Sequence, residues 1–252
     1  MRQRKEVATR MNASANEKSD HRPVPFSWLA YAQWLDSALP IGGFSHSFGL
    51  ETLVQEGRVR TAQDLGRYIQ AMLASAWAPV DALAVKAVYI CAPDARWDRL
   101  WELDRLQHAQ RGAAETREGV AKMGRRLLQL ARSVYPQLDF APLDEAMREG
   151  RCVGAHPLVH GWLSLRLGAP LTIAAEGYLY TCVMTCINSG LRLMSLGQTD
   201  GQKLLADLQP AIGEAWRQAE RLDPWEDGDG GTPLADIAMM RHEGLYSRLF
   251  MS

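Results

Sequence analysis

The sequence is short of nearly every feature that would announce a chemistry. It lacks an excess of charge of either sign: 28 Lys plus Arg stand against 29 Asp plus Glu, a formal net charge of -1. Nucleic-acid binders carry a basic surplus to displace counterions, so no nucleic-acid partner is expected. An acidic disordered protein is excluded on the same balance. Cysteine is scarce. Cys91, Cys152, Cys182 and Cys186 sit in apolar surroundings in a chain too long to need disulfide staples. Reduced thiols in a cytoplasmic protein are the expectation. No clean apolar run reaches the roughly 20 residues of a membrane span. The most apolar stretch, 171–187, contains Glu176 and several threonines, so no membrane partner is expected. The first 24 residues hold no apolar run that could serve a secretory signal. No period-2 alternation of useful length appears, and no Asn-Gly or Asp-Gly hairpin lies between β-branched runs.

What is present is helical punctuation around enough apolar residues (47%) for a sizeable core. Trp28, Leu29, Tyr31, Ala32 and Leu35 form a stripe at helical spacing. Pro40, Gly42 and Gly43 then break the helix, and a short one follows from Gly49 to Glu56. Thr61 with Asp64 reads as a capping box. Pro79 is placed to open a further helix through Tyr89. Helices are expected over 97–108, 114–132, 156–167, 171–196, 198–222 and 233–240. The links at Pro136–Pro142 and Gly150–Gly154 read as irregular, and 223–231 as an exposed loop. The prediction is an all-α fold: one compact domain of about ten helices over 26–252, behind a flexible N-terminal arm, 1–25.

Chemical motifs are mostly missing. No P-loop and no dinucleotide-binding glycine pattern is found. Gly43-Phe44-Ser45-His46-Ser47 approaches a nucleophile elbow, but its last position is Ser and no strand precedes it. A serine hydrolase using Ser45 is therefore a minor alternative, beside a glycine loop that presents Phe44 and His46 outward. His156/His160 and Cys182/Cys186 are each four apart on a helix and could form a soft metal site. A metal carrier using them is another alternative, beside ordinary core packing. No catalytic residue and no metal ligand is assigned. The last twelve residues, Arg241 to Ser252, mix aromatics and aliphatics, which must dock on the protein's own core or on a partner.

The segment Leu35-Asp36-Ser37-Ala38-Leu39-Pro40-Ile41-Gly42-Gly43-Phe44-Ser45-His46-Ser47-Phe48-Gly49-Leu50-Glu51 resembles the urease accessory protein UreF family. Three further blocks agree: Glu115-Thr116-Arg117-Glu118 with Met123-Gly124, then Leu196 to Gln202, then Arg241-His242-Glu243 with Tyr246-Ser247-Arg248-Leu249-Phe250. The resemblance implies an all-helical homodimer that acts as a non-enzymatic nickel-insertion chaperone. Its implied partners are UreD (UreH in some species), the GTPase UreG, whose cycle it would modulate, and apo-urease. Nickel is cargo of that assembly, not a cofactor of this chain. The implied partner-binding residues are Pro40, Gly42, Gly43, Phe44, Ser45, His46 and Glu51, facing the GTPase. Arg192 and Gln198 join them, Arg192 standing where many members have Lys. Arg241, His242, Glu243, Tyr246, Arg248 and Phe250 would build the UreD surface and order on docking. None of the 23 arginines is marked as an arginine finger.

Overall fold

The computed structural model describes residues 25–252, and every regular element among them is helical. The arm expected over 1–25 lies, apart from Pro25, outside the described residues. The Ser27 side chain caps α1 (Trp28–Ala32), which tightens into a 3-10 turn at Gln33–Leu35. A loop with a 3-10 turn at Gly43–Ser45 leads to α2 (Leu50–Gln55). The capping box is made in full: Thr61 Oγ1 accepts from Asp64 N (3.1 Å) and Asp64 Oδ2 accepts from Thr61 N (3.0 Å). It starts α3 (Ala62–Met72).

Pro79 does not open a new helix. It lies inside a π-helical run, Leu73–Ala82, that joins α3 directly to α4 (Leu83–Cys91). The α-helical ladder is already interrupted there, so a residue without an N–H is accommodated. This Ala62–Cys91 run is the one helix among the described residues long and apolar enough to cross a membrane by composition, and 61% of its most apolar window is buried inside the fold.

Next come α5 (Trp97–Gln110) and α6 (Ala114–Val134). The link expected to be irregular through Pro142 instead starts α7 (Ala141–Arg148), with Pro142 in the first turn, where its missing donor is harmless. α8 (His156–Arg166) and α9 (Leu171–Leu193) follow, α9 ending three residues before the expected Leu196. α10 (Gln198–Ala219) and α11 (Pro233–His242) complete the order. The loop between them is not wholly exposed: half-buried Trp225 lies under Arg99 (4.0 Å) and donates Nε1–H to Arg99 O (3.1 Å).

The nearly all-round apolar α9 is central, as expected, and touches α2, α3, α4, α8, α10 and the π-helical run. Two apolar clusters result. One gathers Leu50, Leu65, Leu83, Leu179 and Trp216. The other gathers Tyr31, Trp34, Trp101, Leu127 and Trp162. Phe48 and Tyr89 pack against both.

One close approach fixes how α6 sits on α8. Asp104 of α5 accepts from Val153 N (2.6 Å), Gly154 N (2.9 Å) and Ala155 N (3.1 Å), closing the turn before α8. That turn presses on α6 so closely that a Cβ at Gly124 would lie 2.0 Å from Gly154 O. Backbone cannot rotate aside as a side chain would. Gly124→Ala is expected to cost about 3 kcal/mol, read as a lower urea midpoint at unchanged slope.

Candidate functional site

The glycine segment is a tight, mostly buried turn. Gly42 (φ 92°) and Gly49 (φ 88°) occupy left-handed backbone, which glycine enters without penalty. Phe48 shares it (φ 52°) at a cost of about 1–2 kcal/mol. Of the two residues expected to face outward, Phe44 does (64% exposed) and His46 does not (5%). The His46 ring stacks on Phe48 and fills the space left by Gly119, where a Cβ would meet its Cε1 at 2.6 Å. Burial, then the nearby Lys122 and Arg126 charges, lowers its pKa to about 4. His46 Nδ1 meets Ser252 Oγ at 2.7 Å. The imidazole is thus turned to Ser252 and is not hydrogen-bonded to Ser45.

The apolar tail docks on its own chain. Of the two docks open to it, the structure shows the internal one. The tail is ordered without a partner, because this chain supplies the polar groups that hold it. Glu51, buried in α2, accepts from Leu249 N (2.7 Å) on one oxygen and from Phe250 N (3.0 Å) on the other. His242, fully buried at the end of α11, meets Glu51 Oε2 with Nε2 (3.0 Å) and Glu115 Oε2 with Nδ1 (2.6 Å). Arg248 reaches the other Glu115 oxygen (2.7 Å). Ser47 N, Phe48 N and Ser47 Oγ all donate to Ser252 O. Arg192 of α9 donates to Phe44 O (2.6 Å) and lays its guanidinium over the buried Phe250 ring (4.3 Å).

Residues far apart in sequence therefore meet: 42–51, 115–123, 192 and 242–252. Within this convergence Gly42, Gly43, His46, Glu51, His242 and Phe250 are buried. Their atoms shape the loop and hold the tail. Pro40, Phe44, Arg192, Arg241, Glu243, Tyr246 and Arg248 are exposed, and Ser45 is half-buried. Arg241 pairs with Glu56 (3.1 Å). Gln198 is exposed at the start of α10, where its block makes the turn between α9 and α10. Sequence reasoning missed Ser47, Gly119 and Ser252. Their partners lie up to some 200 positions away, and no local pattern marks them.

The family model described as UreF matches residues 59–209. The chain belongs to the UreF family. It is 34% identical to the urease accessory protein UreF of Arthrobacter sp. (strain FB24), over 89% of this chain and 96% of that relative. Against the Haemophilus influenzae (strain PittEE) protein of the same name the identity is 35%, over 86% and 92%. Against that of Lachnoclostridium phytofermentans it is 34%, over 89% and 98%.

This UreF-family chain also holds a cavity of about 440 Å3, lined by Asp81, Arg111, His156, Tyr178 and Cys182 among others. Asp81 accepts from Arg111 on one oxygen and from Tyr178 Oη (3.1 Å) on the other. The His156/His160 and Cys182/Cys186 pairs are not assembled. His160 Nε2 lies between Tyr31 Oη (3.3 Å) and Ala174 O (3.2 Å), and His156 packs beside Tyr178. Burial pushes both thiols up, away from the thiolate that binds metals. Among the described residues no group of three or more His, Cys, Asp or Glu is placed to hold a metal ion.

Proposed function

We propose that this chain is a cytoplasmic, non-enzymatic scaffold for urease maturation. As a homodimer it assembles with UreD (UreH) and the GTPase UreG, and the assembly passes nickel to apo-urease without this chain retaining the metal. One observation carries the reading beyond family membership. Arg192 ties the glycine loop to the tail, so exposed Phe44, Arg192 and Arg248 stand on a single framework braced by α6 and α9. An exposed Phe44 beside the Arg192 guanidinium has the composition of an interface hot spot. Burial of the neighbouring polar groups leaves these side chains as the contact points for the GTPase (Pro40, Phe44, Arg192) and for UreD (Arg241, Glu243, Tyr246, Arg248).

Pull-down of the UreD-type and UreG-type partners with Phe44→Asp and Tyr246→Ser chains tests this. Loss of a central aromatic anchor removes about 2 kcal/mol or more of binding. Recovered complex is expected to fall at least about tenfold, with helical content unchanged. Undiminished recovery by both folded variants would remove the assignment.

A further inference from the structure

The segment Leu249–Ser252 is held in the way a binding site holds an extended peptide. Leu249 N and Phe250 N donate to the Glu51 carboxylate, and Met251 N donates to Ser45 O (2.8 Å). Ser252 O accepts from Ser47 N (2.6 Å), Phe48 N (3.2 Å) and Ser47 Oγ (2.8 Å), and Ser252 Oγ meets His46 Nδ1. The Phe250 ring is buried under the Arg192 guanidinium. Main-chain hydrogen bonds supply grip and one aromatic pocket supplies selectivity, the division of labour seen in peptide-recognition sites.

Every group that holds the segment comes from Ser45–Glu51 or Arg192, so the trough exists without the covalent link to its occupant. That link runs through Glu243–Ser247, a largely exposed stretch containing Gly244. The outer face of the docked segment stays uncovered, with Leu249 53% and Met251 57% exposed beside Phe44.

We propose that this trough is a peptide-recognition site for an extended segment with an aromatic anchor and a serine two residues later. We infer that its occupant in trans is the same segment of a second copy of this chain, swung out about Glu243–Ser247. Any second copy carries the fitted sequence, exchange of a terminal element between identical chains is a low-cost route to association, and the uncovered apolar face gains cover when two copies meet. The inference stands on the trough and does not depend on the urease partners.

Complementation between full chains tests it. A Phe250→Ala chain keeps the trough and loses the anchor. A Glu51→Gln chain keeps the anchor and loses the carboxylate. Neither docks its tail well in cis, but the second can lend its tail to the first. The tail peptide containing Phe250 comes only from the Glu51→Gln chain, so mass spectrometry distinguishes the two. Mixing at micromolar concentrations is expected to slow amide hydrogen exchange in that peptide at least about tenfold. A synthetic peptide of residues 244–252 is expected to saturate the Phe250→Ala chain and to bind the wild-type chain at least about tenfold more weakly, because the resident tail competes at high effective concentration. No slowing on mixing, or no peptide binding, with both chains helical, overturns the proposal. If Phe250→Ala or Glu51→Gln fails to fold, Phe250→Leu, which also lacks the aromatic anchor, and Ser47→Ala, which also weakens the trough, replace them with the same expected and overturning results.

Discussion

Replacing Glu51 with alanine is expected to detach the tail and to cost about 3–5 kcal/mol of stability. One buried carboxylate accepts from Leu249 N, Phe250 N and His242 Nε2. Truncation leaves two amides and one face of a fully buried imidazole without partners, and each orphaned group carries its own desolvation penalty. The damage is expected to spread from that point. Phe250 loses its backbone anchor, Arg192 loses the ring it covers, and Ser252 leaves the Ser47 and Phe48 amides. Amide exchange over 249–251 is expected to rise by about two orders of magnitude or more, as 3–5 kcal/mol implies. Glu56→Ala is the control. Its carboxylate makes the half-exposed pair with Arg241, and a surface pair contributes about 1 kcal/mol at most. Equal losses from the two variants would contradict this account.

Acid should unfold the protein well above the range in which its carboxylates titrate. Burial lowers the pKa of His156 to about 3 and that of His160 to about 4, and His46 is also lowered to about 4, against an ordinary value of 6.5. The sign follows from proton counting. Between the folded values and 6.5 the unfolded chain binds protons that the folded chain refuses, so stability rises with pH there. The stabilisation is complete above about 6.5 and is lost as pH falls toward the folded values. Each histidine contributes a slope of up to about 1.4 kcal/mol per pH unit. Three together remove about 5 kcal/mol between pH 6.5 and pH 5, comparable with a domain's whole stability. Urea midpoints at pH 7, 6 and 5 should fall steeply. His160→Gln keeps a donor for Ala174 O and removes one titrating ring, so its midpoint should fall about a third less. A flat midpoint across that range would show that the rings are charged inside the fold.

Local chemistry was legible wherever a few adjacent residues decide the outcome. Thr61 and Asp64 announce their box, and the break at Pro40–Gly43 reads directly. His156 and His160 as packed core residues were also open to that reading. Prolines misled twice, because the same residue opens a helix, sits in a π turn or ends a run according to what packs beside it: Pro79 lies mid-run and Pro142 begins α7. The site was half legible. The glycine segment, Glu115, Arg192 and the tail all stand out as sequence blocks that resemble one family. What no block shows is that they touch. His46 is polar and follows an exposed Phe, so an outward orientation is the natural expectation. It is reversed by Gly119, whose missing side chain opens the space for the ring. Glu51 looks like any acidic residue in a first helical turn until residues some 200 positions later arrive to use its two oxygens.

The division of the interior into two apolar clusters, with Phe48 and Tyr89 shared between them, sets how the molecule comes apart. One helix feeds both, Leu83 and Val85 going to one cluster and Ala87 and Val88 to the other, so the two are expected to melt together, with Phe48 and Tyr89 adding to the coupling. Phe48 also stands in the loop that grips the tail. Whatever grasps the tail therefore pulls on a ring packed against both clusters, and its arrival is expected to register as a change in how sharply the whole molecule melts.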